Sequence, residues 1–104
     1  MEEQQHVITI VCSGNVCRSP MAERLLRHAL QAEEEPLSSA KVYSAGVSAF
    51  SGDPASANAV TALQKVGLDL ADHRSRPLTS QLMEVTDLLL VMTGRHLEAV
   101  RLLY

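Results

Sequence analysis

The opening residues limit the fold more than any other feature of this chain. Val7-Ile8-Thr9-Ile10-Val11 is β-branched throughout and apolar except at Thr9. A strand with one wet face would alternate polar and apolar residues. This run does not, so it suits a central strand buried on both faces, as in a parallel sheet. It gives way to a loop holding Gly14 and Asn15, residues that tolerate unusual backbone angles. Pro20 then fits the first turn of a helix, where its missing N–H costs nothing. Met21, Leu25, Leu26 and Ala29 recur at helical spacing, and the pattern fades over residues 33–36.

The rest of the chain repeats the alternation. Lys41-Val42-Tyr43-Ser44 reads as a second short strand, ended by Ala45-Gly46, with a loop over residues 48–53. Asp53 as N-cap and Pro54 as first helical residue open another helix. Ala57, Val60, Leu63 and Val66 extend it, and Gly67 stops it. A polar connector, Asp72-His73-Arg74-Ser75-Arg76-Pro77, leads to a short helix capped by Thr79 and running to Val85. Leu88-Leu89-Leu90-Val91-Met92 reads as a buried third strand, and residues 95–103 carry the last helical pattern. This order predicts an α/β fold of three layers, a parallel sheet with helices on both faces. Right-handed crossovers give strand order 2-1-3 and put the loop after the first strand at a switch point, where ligands of such sheets bind.

Composition narrows the classes of function. Hydrophobic residues make up 46% of the 104-residue chain, so one globular domain with a modest core is expected rather than disorder. The net charge of −3 argues against a non-specific nucleic-acid partner. Glu33-Glu34-Glu35 is most simply a solvated helix end or loop. No run approaches the ~20 apolar residues of a membrane helix, so no membrane role is expected. Met1-Glu2-Glu3-Gln4-Gln5 lacks a basic region followed by an apolar one, so no secretory signal is expected. Cys12 and Cys17 alone make a poor disulfide framework, and a cytoplasmic protein is the better reading.

Cys12-Ser13-Gly14-Asn15-Val16-Cys17-Arg18-Ser19 occupies the place where chemistry is expected. A phosphate monoester dianion needs donors on several sides and a nucleophile in line with its leaving group. Backbone N–H groups of a short loop running into a helix N-terminus supply many donors at once. Ser13, Gly14, Asn15, Val16 and Cys17 would line that cradle, and Arg18 would grip two oxygens with its fork. Cys12 would stand at the bottom, where the same field favours its thiolate. The Ser19 hydroxyl could donate to that thiolate and ease its later departure. The expected reaction has two steps, a covalent phosphocysteine and then attack by water. The alternative is that Cys12 is a small buried residue at a strand end. Cysteine-x5-arginine is a weak pattern alone; its place between a buried-type strand and a proline-led helix makes it specific.

The segment from Cys12 to Glu23, CSGNVCRSPMAE, resembles the signature of the low-molecular-weight protein tyrosine phosphatase family. The resemblance continues through Tyr43-Ser44-Ala45-Gly46, through His73-Arg74-Ser75-Arg76-Pro77-Leu78, and over residues 87–93. It implies an α/β hydrolase that acts on phosphorylated protein and needs no metal or other cofactor. It implies Cys12 as nucleophile and Arg18 as the residue that binds phosphate and stabilises the transition state. Asn15, Ser19, Ser44 and His73 match polar residues that brace the loop. Cys17 matches a second cysteine able to form a reversible disulfide with Cys12, or else is a packed small residue. Phe50, the only phenylalanine, reads either as a pocket wall that stacks on an aromatic substrate or as a loop anchor. His6, His28 and His96 read as ordinary histidines.

The family places its general acid in an Asp-Pro motif beyond position 104. The resemblance therefore implies a C-terminally shortened member, one phosphatase-like domain over residues 1–104 without the family's fourth strand and final helix. Asp53-Pro54 is better explained as a helix cap than as a surrogate acid. A positioned acid is typically worth about 10²–10⁴ in rate, so impaired turnover, mainly of esters with good leaving groups, is expected. A bared edge at Leu88-Leu89-Leu90-Val91-Met92 would invite dimers or strand exchange.

Phosphotyrosine is the first reading of the substrate, and phosphoarginine the alternative. Val16 stands where tyrosine-directed members tend to carry a larger aliphatic residue and arginine-directed members a threonine. It has the shape of threonine without the hydroxyl. Met92-Thr93 looks more like the arginine-directed bacterial branch. Arsenate reductases share such a cradle but need further cysteines downstream, and none follows Cys17. A non-catalytic phosphate- or oxyanion-binding module is the reading from outside the enzyme class.

Overall fold

A computed structural model describes residues 6–104; residues 1–5, with the expectation drawn there about a secretory signal, lie outside the described residues. Three parallel strands, β1 (Val7–Cys12), β2 (Lys41–Gly46) and β3 (Leu88–Val91), form a sheet in the order β2-β1-β3. The fold is thus the expected α/β arrangement, with β1 at the centre. Its register runs from Val7 opposite Lys41 to Cys12 opposite Gly46, and from Ile8 opposite Leu88 to Val11 opposite Val91. Four helices follow the strands: α1 (Arg18–Gln31), α2 (Ala57–Gln64), α3 (Ser80–Val85) and α4 (Gly94–Leu103). A short 3-10 turn, Leu37–Ser39, precedes β2.

Alternation along the strands sorts the two faces. Val11 and Ala45 pack with Leu78, Leu82 and Val100 beneath α3 and α4. Thr9 lies on the same face, fully buried, and meets the Thr86 hydroxyl at 2.8 Å. Thr86 in turn donates to the Leu82 carbonyl, so the Thr9 proton is the one shared between the two hydroxyls. On the other face α1 crosses β1 and β2, and α2 joins it through a cluster of Ala59, Leu63 and Leu70 with Met21 and Cys17. No helix among the described residues is long and apolar enough to cross a membrane.

The third strand departs from expectation. Leu89 and Val91 pack under the α3–α4 layer, but Leu88 and Leu90 remain 50% and 39% exposed. They share the face that α1 covers mainly over β1 and β2. The strand is therefore half-buried and at the sheet edge, and it ends at Val91 rather than Met92.

The start of α2 is also corrected. Ser56, not Asp53, is the N-cap, and its side chain accepts from the Ala59 N–H at 3.2 Å. Asp53 cannot open a helix because its main chain is paired with Ser75: Ser75 N–H donates to Asp53 O at 2.7 Å, and Asp53 N–H donates to Ser75 Oγ at 2.9 Å. Pro54 bridges Arg74 in an antiparallel pairing, so this stretch is extended. Val66 falls beyond the helix and is exposed, while Gly67 takes φ +80° and ends the turn. Thr79 does cap α3, accepting from Leu82 N–H at 3.1 Å.

A cap carries measurable stability. Ser56→Ala should lower the unfolding free energy by about 1 kcal/mol. Asp53→Ala should change it by less than about 0.5 kcal/mol, because its exposed side chain caps nothing. Urea denaturation of the two variants measures the difference, and the reverse order would restore Asp53 as the cap.

Candidate active site

β1 delivers Cys12 to the C-terminal edge of the sheet, and only residues 13–17 separate it from α1. The chain turns at Asn15, the one non-glycine residue with positive φ among those described, at 57°. Asparagine tolerates this left-handed conformation better than most residues. Here every polar group of Asn15 is engaged, and the residue is fully buried. Its N–H donates to Cys12 Sγ at 3.3 Å, and its Nδ2 donates to Ser19 Oγ at 2.9 Å. Its Oδ1 accepts from Arg76 N–H at 2.9 Å, and its carbonyl accepts from His73 Nε2 at 2.7 Å.

Those bonds fix the direction of the next one. Ser19 Oγ already accepts from Asn15, so its own proton is available to Cys12 Sγ, 2.9 Å away. The buried sulfur thus has two donors aimed at it, one from a backbone amide and one from a hydroxyl. Arg18 opens α1 and is exposed, and its side chain has no ion pair or hydrogen bond among the described residues. The helix begins two residues before Pro20, which still lies in the first turn.

The cradle is gripped from its flanks. Cys12 O accepts from Val47 N–H, and Ser13 O from Ser48 N–H, both at 3.0 Å. Val16 O accepts from Ser56 N–H at 2.7 Å. Gly46 is needed for this approach, since a Cβ there would lie 2.4 Å from Ser13 O and 2.7 Å from Ala49 Cβ. Gly14 and Val16 complete the loop between these anchors.

Other expected residues fall differently. Ser44 was expected to brace the loop; instead its hydroxyl donates to Glu23 Oε1 at 2.6 Å, because its side chain lies under α1. Glu23, buried in α1, also accepts from Arg27 at 2.8 Å and Arg24 at 3.2 Å. Arg24 reaches on to Asp69 O at 2.8 Å and Asp72 at 2.9 Å, which ties the connector bearing His73 to α1. Cys17 is a free thiol packed against the Ala59–Leu63–Leu70 cluster, and Cys12 is also free. Phe50 is 79% exposed, so its ring anchors nothing, although its carbonyl accepts from Ser75 Oγ at 2.5 Å. No group of three or more His, Cys, Asp or Glu side chains among the described residues is placed to hold a metal ion.

Sequence reasoning missed His96. It lies in the first turn of α4, is 4% exposed, and meets Ser13 Oγ with Nε2 at 2.9 Å. The spacing Thr93-x-x-His96 after a parallel strand was the available signal. Thr93 caps α4 and turns the third residue of the helix toward the C-terminal sheet edge, where the loop lies.

Comparison with known proteins agrees with this geometry. The family model described as low molecular weight phosphotyrosine protein phosphatase matches residues 7–103. The chain belongs to that family. It is 46% identical over 87 residues to the Ralstonia solanacearum protein named "probable low molecular weight protein-tyrosine-phosphatase EpsP", covering 84% of this chain and 55% of that protein. It is also 46% identical over 93 residues to the protein-arginine-phosphatase of Bacillus subtilis, covering 89% of this chain and 59% of that one. The crystal structure of a low molecular weight protein tyrosine phosphatase from T. tengcongensis superposes with a TM-score of 0.87 at 37% identity, covering 96% of this chain and 67% of the other. The chain therefore spans a little over half the length of these two curated relatives. Within the family's cradle, the engaged Asn15, the doubly donated sulfur and the neighbouring Arg18 are the features that this chain assembles.

Burial first, and the charge of Arg18 second, hold the His96 imidazole below the ordinary histidine value of 6.5, so it is neutral at neutral pH. The folded ring resists a proton that the unfolded chain takes up. Its contribution to stability is whole above ~6.5 and is lost as pH falls below that value. Stability measured from about pH 7.5 to about pH 5 should fall more steeply in the wild type than in His96→Gln. Equal slopes would remove His96 as the cause.

Proposed function

We propose that this chain is a cysteine-dependent phosphatase of phosphorylated protein, acting first on phosphotyrosine. The observation that carries the reading is the buried Cys12 sulfur, which accepts from Asn15 N–H and Ser19 O–H at the foot of a loop entering α1. An acceptor sulfur suits a thiolate, and the helix N-terminus with Arg18 beside it suits a dianion. The substrate phosphoryl group sits on the amides of residues 13–18 with Arg18 across two oxygens. The Cys12 sulfur pair forms the S–P bond while the P–O bond to the leaving group breaks, and that oxygen takes up a proton from solvent. Water then attacks phosphorus and gives up a proton to solvent, the S–P bond breaks, and the Ser19 hydroxyl donates to the departing thiolate. His73 holds the Asn15 carbonyl, and so the turn, throughout.

The proton for the leaving group is the step least provided for. Asp53 is paired with Ser75 through its main chain, and we read it as a loop residue rather than as a surrogate acid. The 104-residue polypeptide should therefore turn over slowly and favour aryl phosphates with acidic leaving groups. A single-turnover assay with a 32P-labelled aryl phosphate should give a covalent adduct in the wild type. Cys12→Ser should give no phosphocysteine, and Arg18→Ala should lose adduct and phosphate binding together. A wild type that binds phosphate but never forms the adduct would make the chain an oxyanion-binding module. Turnover equal to that of a version extended through the family's Asp-Pro motif would refute the missing acid.

A second reading, phosphoarginine, is supported by the B. subtilis relative and by Met92-Thr93. Phosphotyrosine and phosphoarginine peptides decide between them. If the arginine reading is right, Val16→Thr should raise the rate on phosphoarginine, since the added hydroxyl restores a hydrogen bond that valine lacks. Three further expectations remain proposals: a cytoplasmic setting, a reversible Cys12–Cys17 disulfide under peroxide, and pairing of a second copy along β3. The last rests on the unpaired edge with Leu88 and Leu90 exposed. Light scattering should find dimers that Leu90→Lys disperses; a wild-type monomer at high concentration would end the idea.

A further inference from the structure

We propose that His96 is a positioning residue of the phosphate cradle. Its Nε2–H donates to Ser13 Oγ, which leaves the Ser13 hydroxyl proton for an oxygen of a bound oxyanion. The proposal rests on the reading of the Cys12 loop as a phosphate site.

The hydrogen-bond inventory around the ring argues for this direction. His96 has two polar contacts, Ser13 Oγ at 2.9 Å from Nε2 and Thr93 Oγ1 at 3.2 Å from Nδ1. A neutral imidazole has one N–H, so one nitrogen donates and the other accepts. Thr93 Oγ1 already accepts from the His96 backbone N–H, as the cap of α4. Its own proton is then free to go to Nδ1. With that proton on Nδ1, Nδ1 accepts and Nε2 donates, so Ser13 Oγ receives; the other tautomer would need Thr93 Oγ1 to accept twice, from the His96 backbone N–H and from Nδ1–H.

Ser13 is the residue on which such a bond tells. It follows Cys12 directly and is exposed, unlike Asn15 and Ser19. Its carbonyl is held by Ser48 N–H at 3.0 Å, in the loop after β2, while its side chain is held by α4 after β3. The first residue of the cradle is therefore fixed from both sides of β1. A buried ring makes the α4 side of this grip rigid, and the Ser13 proton is left at the exposed rim, where a ligand oxygen arrives.

The test uses the 104-residue chain and inorganic phosphate, with binding followed by titration calorimetry. Ser13→Ala and His96→Leu should each weaken phosphate about five- to tenfold, as loss of one hydrogen bond to a charged group does. The double variant should be no weaker than either single one, because both remove the same bond. His96→Gln, whose amide can replace the Nε2 donor, should stay within about twofold of wild type. In single-turnover assays the apparent affinity for an aryl phosphate should weaken in Ser13→Ala while the saturated rate of adduct formation holds. Nitrogen-15 NMR of labelled histidine should place the His96 proton on Nε2. Should His96→Leu fail to fold, Ser13→Ala and the NMR spectrum still decide.

Phosphate binding unchanged in Ser13→Ala, additive losses in the double variant, or a proton on Nδ1 would overturn the proposal. Arg18→Ala separates this from failure of the site itself. If it loses phosphate while the Ser13 and His96 variants do not, the cradle stands and His96 has no part in it. A wild type that binds no phosphate would overturn both.

Discussion

The left-handed turn at Asn15 is the constraint on which the site depends. A chain leaving a central parallel strand travels away from the sheet, and it must curl within five residues to enter α1. Asn15 supplies that reversal at φ 57°. The unfavourable backbone is held because four bonds converge on it, from β1's own cysteine, from α1 through Ser19, and twice from the connector after α2. Removing the Asn15 amide would leave Ser19 Oγ without the donor that directs its proton. The hydroxyl could then accept rather than donate, and the sulfur would lose half of its hydrogen bonding. Conformation and chemistry are thus set by one side chain.

The connector over residues 73–76 does more than join two helices. His73 and Arg76 hold Asn15, while Ser75 between them holds the loop that carries Phe50, through Phe50 O and the Asp53 main chain. One short segment therefore holds the cradle and the Phe50 loop at once, through two side chains and one main-chain N–H. The exposed Phe50 ring stands on a backbone that cannot drift independently of the Cys12 loop.

How far this was legible in the sequence depended on the range of each interaction. β1, the cap at Thr79 and strand order 2-1-3 follow from local pattern and from the handedness of crossovers, and the structure has them. The loop residues could be named because the motif is contiguous. Asp53-Pro54 misled because a good local cap signal lost to a long-range pairing with Ser75, which no local rule displays. Leu88-Leu89-Leu90-Val91-Met92 misled for a similar reason. Its composition is that of a buried strand, but burial is decided by whether a helix lies over it, and α1 lies mainly over β1 and β2. His96 was hidden because an isolated histidine carries no periodic signal; its meaning comes from Ser13, 83 positions earlier.

The same accounting separates the two halves of phosphoryl transfer. Capture of a dianion and attack by sulfur need fixed donors close to the phosphorus, and on the proposed reading these would come from residues 12–19, with props from β2, the connector and α4. Such donors stabilise developing charge without reorganising during reaction. Proton delivery to the leaving group has another requirement. It needs an acid whose carboxyl stands on the far side of the phosphorus from the sulfur, because displacement is in line. A residue rooted in the cradle lies on the sulfur side and cannot meet that condition, whatever its affinity for protons. Asp53 is held against Ser75 by its main chain, on a loop whose anchors serve the cradle. On the proposed reading, a loop that holds a phosphoryl group from the sulfur side leaves proton delivery to a group that stands opposite it.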